Sequence, residues 1–185
     1  MPVDLSPPHK DSSKQGKSIL AGHLLVSCLL LAAPAFAQSG PSTADFVARA
    51  AIGDIFEIES AKLVEEKASP NAANLAAPLA KDHAAVLAEL KSLVQNGKVK
   101  AELPASLDAA HQAKLDKLKA MKGGAFDKAY FDTQIDVQKD NVSLFERYAK
   151  NGDNPALKSL AASYLPRLQQ HLKAARDVRE VIMDE

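Results

Sequence analysis

Residues 155–183 read PALKSLAASYLPRLQQHLKAARDVREVIM, and their periodicity decides the fold. Leu157, Ala161, Tyr164, Leu168, His171, Ala175, Val178 and Ile182 follow one another at alternating spacings of 4 and 3. That alternation draws one stripe along an α-helix of about eight turns. Asn154-Pro155 opens it with a capping side chain and then proline at the first helical position. Pro166 lies inside and predicts a kink, because it removes one backbone hydrogen bond. A single helix cannot bury such a stripe, so the rest of the chain must supply partners.

Three more segments carry the same spacing. One runs from about Ala125 to Lys150, with Phe131, Ile135, Gln138, Val142, Phe145 and Ala149 on its seam, and Asn151-Gly152-Asp153 closes it. Another runs from Pro70 to Gln95 through Ala72, Ala76, Leu79, His83, Leu87, Leu90 and Val94; Asn96-Gly97 stops it and Pro78 predicts a kink. The first is capped by Ser42, Thr43 or Asp45 and runs to about Lys67, with Phe46, Ala50, Gly53, Glu57, Ser60 and Val64 on its seam. Residues 97–123 connect the second and third long helices. So long a connection needs structure of its own, and Leu107, Leu115 and Leu118 predict a short helix from about Ser106 to Met121. Short turns at both ends and one long crossover in the middle predict an all-α, ferritin-like four-helix bundle.

Outward from the bundle, residues 1–37 read as a secretory signal peptide. Lys10, Lys14 and Lys17 precede an apolar run from Ile19 to Ala33, and Ala35-Phe36-Ala37 is a small-x-small exit after Pro34. The run is short for a membrane span, which takes about 20 residues. Leu25-Val26-Ser27-Cys28 offers an alternative, a lipoprotein signal that would anchor the chain to a membrane. The apolar run continues past Cys28, which favours the exit after Ala37 and a periplasmic destination. The domain is then 38–185, with no cysteine and no transmembrane span. Removing three Lys and two Asp from 23 and 23 leaves 20 basic against 21 acidic residues. So even a balance excludes the basic surface that nucleic acid needs.

Each long helix carries one polar residue near the middle of its seam: Glu57, His83, Gln138 and His171. Mid-helix positions reach the same height whichever way each helix points, so the four form one layer. Two readings fit. The layer is a hydrogen-bonded lock that sets helix register. Alternatively Glu57, His83 and His171 are a two-histidine, one-carboxylate ligand set for Fe, Zn or Cu. Di-iron bundles carry Glu-x-x-His on two helices. Here Ala80, Asp108 and Leu168 stand three residues before His83, His111 and His171. That favours a protein without cofactor. Asp82 points about 100° away from His83. His111 reads as exposed or capping. Asp116, Lys117 and Lys119 read as a solvated face. Ser60 and Ser163 lack a nucleophile elbow, and Gly123-Gly124 follows no strand, so neither hydrolase nor phosphate-loop chemistry is indicated.

The order of these pieces resembles a bacterial family, the domain of unknown function 4142, whose members are described as exported or outer-membrane proteins with a ferritin-like fold. Phe46, Ala50-Ala51, Gly53 and Glu57 carry the resemblance on the first helix, and Asp82-His83 on the second. Leu107-Asp108, His111-Gln112-Ala113 and Leu118 carry it in the crossover. Phe126-Asp127, Ala129-Tyr130 and Leu144-Phe145 follow on the third helix, and Leu165-Pro166, Leu168 and His171-Leu172 on the fourth. Members usually have Asp-His where this chain has Val137-Gln138; if the family's layer binds metal, this chain has one ligand fewer. The resemblance implies the ferritin-like fold and an exported location. The lack of any complete catalytic set points instead to a non-catalytic periplasmic bundle with an envelope-stress role or an envelope protein partner, as monomer or larger assembly.

Overall fold

The computed structural model describes residues 40–67 and 70–183. The expected signal segment 1–37, with Cys28, lies outside the described residues. Five helices follow in order: α1 Thr43–Lys67, α2 Pro70–Gln95, α3 Ala109–Lys119, α4 Gly123–Asn151 and α5 Pro155–Met183. No strand occurs among the described residues. The four long helices match the sequence reading to within two residues at each end. The crossover helix is shorter than expected, because Asp108 caps it: its carboxylate accepts the His111 backbone N–H at 2.8 Å. Gly123 begins α4 rather than ending the connection, with a φ of +56° that suits glycine. At the far end of the crossover, Gly97 at φ +75° ends α2.

Local chemistry explains the other boundaries. Ser42 Oγ accepts the Asp45 N–H at 3.1 Å and starts α1. Asn154 Oδ1 accepts from Ala156 and Leu157 at 2.9 and 3.1 Å and starts α5. The Asn154 amide also donates to the Lys98 carbonyl at 3.0 Å, which ties the α4–α5 turn to the beginning of the crossover.

Two apolar clusters show how the helices run. One gathers Phe46 and Val47 from the start of α1, Leu90 from the end of α2, Phe145 and Tyr148 from the end of α4, and Leu157 from the start of α5. The other gathers Leu63 and Val64, Leu75 and Leu79, Leu115 and Leu118, Phe126 and Phe131, and Ala175. So α1 and α5 point one way, α2 and α4 the other, and the crossover travels the length of the bundle with α3 packed on its side. The order is up-down-down-up, which is the ferritin-like arrangement. α1 packs chiefly on α2 and α4 chiefly on α5, two hairpins laid together.

Candidate functional site

Between the two apolar clusters lies a polar stratum. Asp54, Glu57, Ser60, His83, Gln134, Gln138 and His171 are all buried. Each is carried by the middle of a long helix whose flanking turns are apolar, so helix packing brings polar groups into the core together.

Hydrogen bonds link three helices here. His83 Nδ1 lies 2.7 Å from Asp54 Oδ1. Gln138 Nε2 donates to Glu57 Oε1 at 3.2 Å and meets His83 Nε2 at 3.1 Å. An amide N–H donates, so His83 Nε2 accepts, and its proton sits on Nδ1 toward Asp54. Alongside, Gln134 Nε2 donates to Ser60 Oγ at 3.3 Å, and Ser60 donates to the Glu57 carbonyl at 3.2 Å.

Glu57, His83 and Gln138 therefore meet as the seam spacing predicts. His171 comes beside them without joining the chain of bonds. Its ring centre is 5.7 Å from that of His83, and its Nε2 lies 3.0 Å from Asp82 Oδ2. Asp82 also accepts from Arg167 at 2.8 Å. Asp82 points about 100° away from His83 around α2, and α5 lies on that side. Asp54 escaped the seam pattern too. It sits three residues before Glu57, on the same buried face of α1. His111 is half-buried, bonded to Asp108 at 2.7 Å and set edge-on to Phe56.

Not every polar atom of the stratum and its surroundings is satisfied. Asp54 Oδ2, Glu57 Oε2, Gln134 Oε1, Gln138 Oε1, His171 Nδ1 and the Tyr130 hydroxyl find no hydrogen-bond partner. Such atoms call for a proton, a water or an ion. Burial pushes the Glu57 carboxyl up to about 7, against a partial pull back from His83. Burial also raises Asp54 well above its ordinary value and lowers His83. Lack of water around a charge is the common cause: acids hold their protons and the imidazole stays neutral. Among the described residues, no three His, Cys, Asp or Glu side chains converge as a preformed metal site.

Four long helices in up-down-down-up order around a mid-core polar layer define a ferritin-like bundle. The chain belongs to the family of the domain of unknown function 4142, whose model matches residues 30–178. No curated protein matches it. Among solved structures, CopM in its Cu(II)-bound form is similar in fold, with a TM-score of 0.64 and 17% identity, over 76% of this chain and 97% of that one. Among the described residues, no helix is long and apolar enough to cross a membrane.

Proposed function

We propose that the chain is an exported, non-catalytic bundle that works in the periplasm, in envelope stress or as an interaction module, with its polar layer as a lock between the two hairpins. One observation carries this reading. Both ring nitrogens of His83 are engaged by core neighbours, Asp54 at 2.7 Å and the Gln138 amide at 3.1 Å. An imidazole whose two nitrogens are both bonded within the core holds helices together and is not presented to a substrate as a base. Export rests on the lysines, apolar run and Ala-x-Ala exit of residues 1–37.

The test is metal analysis of protein purified from a periplasmic extract, followed by titration with Cu(II), Zn(II) and Fe(II). The expected result is a chain beginning at Gln38, with no stoichiometric metal and an unchanged thermal midpoint. One tightly bound equivalent, lost in both His83→Ala and His171→Ala, would overturn the lock reading.

A second reading has its own support. The partnerless Glu57 Oε2 and His171 Nδ1 are buried atoms of metal-ligand type, and CopM, of like fold, is known with Cu(II) bound. In that case Glu57, His83 and His171 would be the ligands, while Asp54 and Asp82 orient the two rings.

A further inference from the structure

We infer that Gln138 keeps a latent transition-metal site closed, its amide nitrogen standing where a divalent ion such as Zn(II) or Cu(II) would bridge Glu57 and His83. The inference rests on the lock reading and names the residue that separates it from the metal reading.

The geometry is specific. One nitrogen lies between two ligand atoms, 3.2 Å from Glu57 Oε1 and 3.1 Å from His83 Nε2. Its two hydrogens satisfy both. A metal–nitrogen or metal–oxygen bond is about 2.0–2.2 Å, so an ion at that point would draw each ligand in by roughly 1 Å. The amide offers partial positive charge to an acid and an imidazole without bringing net charge into the core.

The two histidines are held in the way that metal-bound histidines are. Metal-bound histidines are oriented by a carboxylate on the nitrogen facing away from the metal. Both histidines here have that support, His83 from Asp54 at 2.7 Å and His171 from Asp82 at 3.0 Å. A lock needs only one such pair. The free nitrogen of His171 and the second oxygen of Glu57 are buried without partners. An open cleft lined by Asp82, Arg167, Gln170 and His171 reaches the histidine next to the layer. Nitrogen and oxygen donors suit zinc and copper.

Zinc titration calorimetry on the wild type, Gln138→Ala, Gln138→Ser and Gln138→Leu tests this. Cobalt(II) absorption reports coordination independently. Alanine and serine free both ligands and leave room, whereas leucine fills the space without donating. Gln138→Ala and Gln138→Ser should each take one zinc at least about tenfold more tightly than the wild type. Gln138→Leu should not, and adding His83→Ala to either binder should abolish uptake. If the apo variants fail to fold, circular dichroism with and without zinc replaces calorimetry. Folding rescued by zinc supports the inference, and no rescue overturns it. Folded alanine and serine variants that bind no better than the wild type overturn it while the lock reading stands. Stoichiometric zinc on the wild type through His83 overturns the lock reading itself.

Discussion

Asp54 Oδ1 lies 2.7 Å from His83 Nδ1, with both side chains at most 2% exposed, and this contact joins α1 to α2 in the middle of the core. Breaking this buried hydrogen bond is costly, because it leaves polar groups of Asp54 and Gln138 desolvated and without their partner. His83→Ala also removes a packed ring and should destabilise the protein by about 2–5 kcal/mol. Asp54→Asn keeps an acceptor for the ring and should lose only about 1–2 kcal/mol. Urea unfolding of the two variants checks the order; equal losses would mean that the pair is not coupled in this way.

Stability should depend on pH through Glu57. Its carboxyl is raised from 4.5 to about 7 by burial. Below 4.5 both folded and unfolded chains hold the proton. As pH rises from there to about 7 the unfolded chain releases it first, so stability falls. The full shift corresponds to something on the order of 3 kcal/mol. His83 works in the opposite direction. Its lowered value means that stability is lost as pH falls below its ordinary 6.5. Glu57→Gln should therefore reduce the loss between pH 4.5 and 7, leaving the share of Asp54, which is raised in the same direction, against the opposing histidine slope. Denaturation midpoints across that range are the measurement, and an unchanged profile would count against a protonated Glu57.

Gly53 is placed where α1 approaches α4. A Cβ there would stand 2.7 Å from Asn141 Oδ1. In an open helix, glycine to alanine gains about 1 kcal/mol. In this one Gly53→Ala should lose stability, because the buried Asn141 side chain must move. The double variant Gly53→Ala/Asn141→Ala should be more stable than Gly53→Ala alone. Additive thermal shifts would show that the close approach has no energetic weight.

Tyr148 ties the start of α1 to the α4–α5 turn. Its hydroxyl lies 2.8 Å from Thr43 Oγ1, donates to Asp153 at 2.8 Å and accepts the Asn154 N–H at 3.3 Å. The ring stacks on Phe46 with centres 4.1 Å apart. Tyr148→Phe keeps the stack and should lose about 1–2 kcal/mol. Amide exchange should quicken around Thr43 and Asn154 and stay slow at Phe131; a uniform change would refute a local role.

The long helices and three members of the layer were legible because a 4-3 spacing names the face that each helix buries. It does not name what stands across the interface. Asp54 was invisible to it because its partner is 29 residues away on another helix. Nor does it show that Asp82 meets His171 and Arg167, which α5 supplies. The crossover helix began later than expected because leucine spacing cannot say which polar residue, Ser106 or Asp108, makes the cap.

The two hairpins differ in what they can complete alone. Asp54 and His83 close within the first, but Gln138 reaches Glu57 across 81 residues and His171 reaches Asp82 across 89. Each hairpin can therefore form early from local contacts, while the layer is complete only after they dock. A bundle assembled in the wrong register would strand an acid and two imidazoles in an apolar core. The layer thus acts as a late checkpoint on assembly, rejecting a misdocked chain that apolar contacts alone would tolerate.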